Sequence, residues 1–197
     1  MTTFTDATIT ILKDETLSKN WYHLRNVTFD YTGSSGRTAR LKREVYDRGN
    51  GATILLYDAA RKTVVLVRQF RMPAHLNQHS GWLIETPAGL LDGDQPEAAI
   101  RREAMEETGY AVGEVRHLFN AFMSPGAVTE TISFFAAPVE AKSRTGTGGG
   151  LESENEDIEI LDLPFRQAMD MIGTGEICDA KTIMLLQWAA LNLPELA

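Results

Sequence analysis

The chain has 197 residues, 43% of them hydrophobic and 23% charged, a composition typical of a globular protein with a sizeable core rather than of a disordered or fibrous chain. Its 27 acidic and 19 basic residues give a formal net charge of −8, which argues against nucleic acid or an anionic membrane surface as a partner. No stretch approaches the roughly 18 consecutive apolar residues of a membrane helix. Cys178 is the single cysteine, which excludes an internal disulfide and favours a reducing, cytoplasmic location.

The N-terminal part of the chain predicts a small antiparallel β meander. Turn-forming residues separate three stretches that are rich in β-branched and aromatic side chains, Thr8–Leu12, Trp21–Tyr31 and Thr38–Tyr46, and such stretches are typical of strands. We therefore expect an N-terminal β subdomain over residues 1–48, followed by a larger domain over residues 49–197.

The next segment predicts strands that lie inside the larger domain. Ala52–Tyr57 and Thr63–Gln69 flank a polar loop, a pattern that predicts a hairpin. Their unbroken apolar runs indicate burial on both faces of a sheet. A further short strand is expected at Trp82–Thr86, immediately before Pro87.

A helix is predicted from Gln95 to Thr108. Asp94 is expected to cap its first turn, and Glu97, three residues later, would complete a capping box. Gly109 is expected to end the helix, because glycine readily adopts the left-handed conformation that follows a last helical turn.

The remainder of the chain predicts strands, a glycine-rich segment and two helices. The segment Lys142–Gly150 is too flexible to be a core element, and it precedes an acidic run from Glu152 to Glu159. The expected elements are the strands Val115–Phe122, Ile132–Pro138 and Ile158–Leu163, and the helices Pro164–Ile172, ended by Gly173, and Ala180–Leu191.

Three carboxylates on the predicted helix carry the chemical signal. Glu103, Glu106 and Glu107 follow one another at spacings of three and four residues, which places them on one helix face. Because like charges at these spacings repel, a cation should compensate them, and Arg102 could neutralise one. Carboxylates a turn apart can also hold Mg²⁺ next to a phosphate. The alternative interpretation is a solvated acidic helix face.

The segment around these glutamates resembles the signature of the Nudix hydrolases, which cleave a nucleoside diphosphate linked to another group. The match consists of Gly89 and the run REAMEETGY from Arg102 to Tyr110. One departure is that Asp94 replaces the usual glutamate and is separated from Gly89 by four residues rather than five. The resemblance implies an α/β fold, the Nudix α/β/α sandwich, joined here to the small N-terminal antiparallel β subdomain.

A wider resemblance covers essentially the whole chain and indicates a branch of the family. Pro125 follows Tyr110 at the distance found in Nudix hydrolases of sugar nucleotides and ADP-ribose. Similar segments are KREVYDRGNGAT, RQFR, AGLL, MSPGAVTE, GGG followed by NEDIE, and GEICDAKT. This resemblance implies magnesium-dependent hydrolysis of GDP-mannose to GMP and mannose 1-phosphate by a homodimer formed through the N-terminal strands. The alternatives are hydrolysis of ADP-ribose to AMP and ribose 5-phosphate, and a sensor that binds a sugar nucleotide without cleaving it.

The resemblance also implies a metal site. The backbone carbonyl of Ala88 and the side chains of Glu103 and Glu107 would bind Mg²⁺, and Glu106 would bind a second metal or support the first. Glu156 would complete the site and position the attacking water, with Glu152 and Glu154 as alternatives for that role. The glycine-rich segment would deliver this carboxylate when the loop closes.

Substrate contacts are implied at residues spread along the chain. Cationic side chains are needed because the substrate is anionic and the chain is acidic. Trp21 would reach the ligand of the partner subunit and stack on its purine, although ordinary strand packing is an equal alternative for this residue. The implied contacts are Trp21, Lys42, Arg43, Glu44, Arg71, Ala88, Gly89, Leu90, Glu107, Glu130, Asn155, Glu156 and Lys181.

Overall fold

The structure is a computed structural model that describes residues 7–196, apart from the side chain of Glu154. Residues 1–6 of the predicted N-terminal subdomain, and the Glu154 side chain considered above for positioning the water, lie outside this described part. The chain divides into two units. One contains the N-terminal residues up to Gly49 together with Phe122–Glu130, and the other contains Asn50–Ala121 and the residues from Thr131 onwards.

The first unit is a three-stranded antiparallel sheet. Its strands are β1 (Thr8–Lys19), β2 (His23–Thr32) and β3 (Thr38–Asp47), in the order β1-β2-β3. The predicted meander is confirmed, with a longer first strand than expected. The segment Phe122–Glu130 joins this unit through a bridge between Tyr46 and Val128, at which the Tyr46 N–H donates to the carbonyl of Ala127 at 2.8 Å.

The second unit is built on a seven-stranded sheet. The strand order is β10-β5-β4-β9-β8, with β6 paired to β5 and β7 paired to β4. The central pair β4 and β9 is parallel, whereas β5 is antiparallel to β4, β6 and β10. The strands are β4 (Gly51–Asp58), β5 (Thr63–Phe70), β6 (Trp82–Glu85), β7 (Ala88–Leu90), β8 (Arg116–Phe122), β9 (Thr131–Pro138) and β10 (Glu159–Pro164).

Helices cover both faces of this sheet and form the expected α/β/α sandwich. Ile100 and Ala104 of one helix pack with Ile54 and Leu56 of β4 in a buried cluster, and strand alternation directs Leu55 to the opposite face. The helices are α1 (Met72–Leu76), α2 (Pro96–Thr108), α3 (Phe165–Thr174) and α4 (Ala180–Asn192). Within residues 7–196, none of the helices has the length and apolar character needed to cross a bilayer.

The helix ends correct two predictions. Helix α2 begins after Gln95, and no side chain caps it, so the predicted cap by Asp94 is wrong. Pro96 occupies the first turn, and Asp94 lies 4.0 Å from the guanidinium of Arg102 instead. The predicted end at Gly109 is confirmed, with a φ of 75°. Helix α3 ends at Gly175, which adopts the left-handed conformation, and not at Gly173.

Two short elements were not predicted from the sequence. Helix α1 has five residues, and strand β7 has three residues that pair with Gly51–Thr53 of β4. Both are shorter than the window over which hydrophobic periodicity is informative. Strand β7 is nevertheless important because it places Ala88, Gly89 and Leu90 beside α2.

Candidate active site

The carboxylates of α2 differ in exposure. Glu107 is buried, with 2% of its surface exposed, whereas the side chains of Glu103 and Glu106 are 14% and 24% exposed. The alternative interpretation, a fully solvated acidic face, is therefore wrong for Glu107. Helix α2 therefore presents one buried carboxylate, Glu107, beside two that are partly exposed, Glu103 and Glu106.

Strand β7 lies directly beside two of these carboxylates. The backbone N–H of Ala88 donates to Oε2 of Glu107 at 3.2 Å. Gly89 lies against Glu103, since a Cβ placed on Gly89 would be 2.1 Å from Cδ of Glu103, and glycine permits this close approach. Leu90 continues the strand along β4. The structure thus brings together the predicted residues of α2 and β7.

The glycine-rich segment Gly146–Gly150, which we call the glycine strap, binds the C-terminal end of α2. Its backbone N–H groups donate to helix carbonyls: Gly146 to Gly109 at 3.0 Å, Gly149 to Glu107 at 2.9 Å, and Gly150 to the carbonyl of Glu106 at 3.0 Å. These carbonyls would otherwise have no partner within the helix. Composition alone predicted a flexible loop, whereas the structure uses the small glycines for close backbone packing.

The strap leads directly to Glu156. Oε2 of Glu156 accepts a hydrogen bond from the Leu151 N–H at 3.0 Å, and a Cβ on Gly150 would lie 2.6 Å from Cβ of Glu156. Asn155 ends a 3₁₀ turn at Glu152–Glu154 and has a φ of 56°, a left-handed conformation that asparagine tolerates better than most residues. The strap and this turn together hold Glu156 in the part of the unit that contains α2.

Arg102 balances the outer part of α2. Its guanidinium lies 3.0 Å from Glu103 and 3.2 Å from Glu106, which confirms the expected neutralisation of a neighbouring glutamate. Within residues 7–196, no three Asp, Glu, His or Cys side chains form a preassembled metal-binding cluster. Instead Glu103 is bound by Arg102 and Glu156 by its own loop, and their effect on Glu107 is electrostatic.

The ionised form of Glu107 is unfavourable in these surroundings. Burial raises the pKa of Glu107 well above its ordinary value, and the carboxylates of Glu103 and Glu156 raise it further, while the Ala88 N–H and Arg71 act in the opposite direction. A cation would stabilise the ionised form, and Mg²⁺ prefers carboxylate and carbonyl oxygens. The oxygen donors around Glu107 are therefore of the type that a hard divalent cation prefers, although the described residues do not gather them into a ready-made site.

A second charged cluster, centred on Glu85, was not predicted from the sequence. Arg71 donates to both carboxylate oxygens of Glu85, from Nε at 3.0 Å and from Nη2 at 2.9 Å. Lys181 donates to Oε2 of the same residue at 2.8 Å and to Asp179 at 2.9 Å. The structure therefore joins two predicted substrate contacts, Arg71 and Lys181, through Glu85. The available signal was the charged residue Glu85 within the predicted strand Trp82–Thr86, because a charge that a strand buries needs a partner.

The cluster keeps Glu85 ionised. Burial by itself would raise the pKa of the Glu85 carboxyl, but Lys181 and Arg71 outweigh burial and lower the pKa to about 2. Burial by itself would lower the pKa of the Lys181 ammonium group, but Glu85 and Asp179 outweigh burial and raise this pKa. Glu85, Lys181 and Arg71 therefore stay ionised together at neutral pH.

The remaining predicted contacts lie in the first unit. Trp21 is 85% exposed and precedes β2, so its alternative interpretation as a packed strand residue is wrong. Lys42 pairs with Thr28 along β3, and Glu130 lies 3.4 Å from the Arg48 guanidinium.

This unit also contains a cavity of about 590 Å³ beside β3. Arg43 and Glu44 are among its lining residues, and Phe29, Val45 and Phe122 contribute apolar walls. A pocket with apolar walls and a few polar groups is typical of a binding site for a small organic molecule. Two of the predicted substrate contacts, Arg43 and Glu44, therefore line a cavity whose mixed apolar and polar lining suits a small organic ligand.

Comparison with known proteins identifies the family. Residues 47–184 match the NUDIX domain, and residues 8–46 match the GDP-mannose pyrophosphatase NudK N-terminal domain. The chain is 58% identical over 185 residues to the GDP-mannose pyrophosphatase of Escherichia coli O157:H7, covering 93% of this chain and 96% of that relative. It is 60% identical over 181 residues to the GDP-mannose pyrophosphatase of Escherichia coli O139:H28, covering 91% and 94%.

A solved structure agrees with the fold. The crystal structure of an ADP compounds hydrolase superposes with a TM-score of 0.71 over 94% of this chain and 96% of that chain, at 19% sequence identity. At that identity the similarity concerns the fold alone. The sequence matches carry the assignment further, because they span both the N-terminal sheet and the carboxylate helix. The chain belongs to the Nudix hydrolase family.

Proposed function

We propose that this Nudix hydrolase cleaves GDP-mannose to GMP and mannose 1-phosphate in a magnesium-dependent reaction. The observation that carries the proposal is the buried carboxylate of Glu107. It lies beside β7, and its pKa responds to the charges of Glu103, Glu156 and Arg71. Relatives with 58% and 60% identity that are GDP-mannose pyrophosphatases support the choice of substrate.

The proposed metal ligands are the backbone carbonyl of Ala88 and the carboxylates of Glu103, Glu107 and Glu156. Glu106 would support this set, since it shares Arg102 with Glu103. Bound Mg²⁺ would polarise phosphoryl oxygens and neutralise the charge that develops on the leaving phosphate.

Glu156 is proposed to orient the attacking water, with Glu152 as the alternative within the same loop. Hydrolysis adds one water across the P–O–P bridge: the water oxygen bonds to one phosphorus, the bridging P–O bond breaks, and two phosphate monoesters result. A carboxylate at this position can accept the proton that the water loses.

The anionic pyrophosphate would be bound by the second unit. Arg71 and Lys181 are proposed to contact its oxygens. Both are positively charged: the charge of Arg71 acts on Glu107, and Lys181 is hydrogen-bonded to Glu85, which also binds Arg71. Gly89 and Leu90 of β7, together with Asn155, are proposed as further contacts. The proposed substrate contacts that belong to the first unit are Lys42, Arg43, Glu44 and Glu130.

We also propose a homodimer formed through the N-terminal sheet. Strand β1 exposes large apolar side chains, including Ile9 and Ile11 at 65% each and Leu17 at 50%. Contiguous exposed apolar side chains are typical of protein interfaces. Trp21, which is also exposed, would then reach the substrate of the partner subunit. The exposed free thiol of Cys178 supports the further proposal that the enzyme works in the cytoplasm.

The reaction can be tested by product analysis. With Mg²⁺ present, the purified protein is expected to convert GDP-mannose into equal amounts of GMP and mannose 1-phosphate, separated by ion-exchange chromatography. Excess EDTA is expected to stop the conversion, and added Mg²⁺ to restore it. Formation of GDP and free mannose would contradict cleavage at the pyrophosphate, and undiminished turnover in EDTA would contradict the metal requirement.

A further inference from the structure

The carboxylate of Glu85 occupies an unusual position for a charged group. Only 1% of the residue is exposed, yet it accepts three hydrogen bonds, two from Arg71 and one from Lys181. Arg71 follows β5, Glu85 ends β6, and Lys181 lies in the first turn of α4. One buried carboxylate thus connects cations from two distant parts of the sequence.

The Lys181 side of the cluster is held by the start of α4. Asp179 caps this helix by accepting hydrogen bonds from the N–H and the hydroxyl of Thr182, at 2.9 Å and 2.7 Å. Its other oxygen accepts from Lys181 at 2.9 Å. The Thr182 hydroxyl in turn accepts from the Thr86 N–H at 2.7 Å. The residue that follows Glu85 is therefore tied to the same helix turn.

The two cations bound to Glu85 differ in their exposure to solvent. The Arg71 side chain is 41% exposed although it is bound to Glu85, whereas the Lys181 side chain is 14% exposed. Outside this cluster, the carboxylate of Glu107 acts electrostatically on Arg71. Arg71 therefore presents its charge to the carboxylate site while Glu85 restrains its orientation.

Stability alone is a poor explanation for such a cluster. Removing several charges from water is unfavourable, and well-packed apolar side chains in their place are often equally stabilising. A bidentate contact does restrict a guanidinium to one orientation. Holding a cation in advance lowers the entropy that is lost when an anion binds.

We infer that Glu85 is a positioning residue that orients Arg71 and Lys181 for the anionic pyrophosphate of the substrate. The inference rests on the proposed function for the identity of the substrate. It adds a residue that touches no substrate itself and acts through the two cations that do. Loss of the Glu85 charge should therefore weaken binding of a pyrophosphate group more than it slows the chemical step.

The test is Glu85→Gln, which keeps the shape of the side chain and removes its charge. We expect KM for GDP-mannose to rise about ten- to thirtyfold with kcat changed less than about threefold, since lost ground-state and transition-state binding appears in KM. The matched control is Asp162→Asn, which removes a carboxylate that pairs with Arg61 at 2.6 Å on β10 of the same sheet. This control is expected to leave KM within about twofold of the wild-type value.

Affinity for inorganic pyrophosphate, measured by calorimetry without turnover, separates this inference from the proposed function. A wild-type protein that fails to hydrolyse GDP-mannose would overturn the function, while weaker pyrophosphate binding by Glu85→Gln would still support the positioning role. Unchanged pyrophosphate affinity and unchanged KM in a folded variant would overturn it. If Glu85→Gln does not fold, Glu85→Asp keeps the charge and shortens the reach; wild-type pyrophosphate affinity in that variant would equally contradict the inference.

Discussion

Replacing Glu107 with glutamine will lower kcat for GDP-mannose by more than about a hundredfold while the protein remains folded. Even outer partners of a metal site contribute about 10- to 100-fold to activity, so Glu107, as a proposed direct ligand, should contribute more. The fold should persist because glutamine has the same shape and can still accept the hydrogen bond from the Ala88 N–H. Steady-state kinetics at saturating Mg²⁺, with circular dichroism of the same samples, provide the measurement.

Glu97→Gln is the matched control for this variant. Glu97 lies in the first turn of the same helix and pairs with Arg101 at 2.8 Å. Its replacement should leave kcat within about twofold of wild type, because an exposed pair of this kind is worth less than about 1 kcal/mol. Wild-type turnover by Glu107→Gln would remove the basis for the metal assignment.

Replacing Gly148 with alanine will destabilise the second unit by about 2–4 kcal/mol, the sum of backbone strain and overpacking. Gly148 has a φ of 64°, and an added Cβ would lie 2.6 Å from the carbonyl carbon of Thr108 and 2.8 Å from the carbonyl oxygen of Glu107. The strap would have to move away from α2. Urea denaturation measures the loss of stability, and kcat should fall in parallel because Glu156 follows the strap.

Gly175→Ala separates strain from crowding. Gly175 has a φ of 83°, and an added Cβ there meets nothing within 4 Å, so this variant should lose only about 1 kcal/mol. Equal losses of stability in the two variants would mean that contact between the strap and α2 is unimportant. A destabilised Gly148→Ala variant with wild-type kcat would contradict the role of the strap in holding Glu156.

Local sequence patterns were sufficient to predict the carboxylate helix. The spacing of Glu103, Glu106 and Glu107 determines their common face once a helix forms, and Gly109 ends that helix as expected. The predicted cap failed at Asp94 because Pro96 begins the helix one residue later and Arg102 attracts the carboxylate. Helix boundaries depend on competition between local contacts of this kind, and a pattern of residue types does not show which contact prevails.

The contacts that complete the site depend on tertiary structure. Glu85 and Lys181 are 96 residues apart in sequence, and no periodicity links a strand end to a distant helix turn. The glycine strap gave a clear compositional signal, but that signal predicted flexibility, since composition does not reveal which backbone carbonyls lie nearby. Strand β7 was missed because it is short, although it supplies the N–H bound to Glu107. Residue types therefore indicated the chemistry, and folding determined which side chains support it.

We expect this Nudix hydrolase to be selective for GDP-mannose. The selectivity is measured as kcat/KM for GDP-mannose and for ADP-ribose, side by side with Mg²⁺. The value should be at least about tenfold higher for GDP-mannose, equivalent to about 1.4 kcal/mol of preferential transition-state binding. A higher value for ADP-ribose, with AMP as product, would contradict the substrate assignment and retain the carboxylate chemistry. Turnover of neither compound would contradict the catalytic assignment and favour a protein that binds sugar nucleotides without cleaving them.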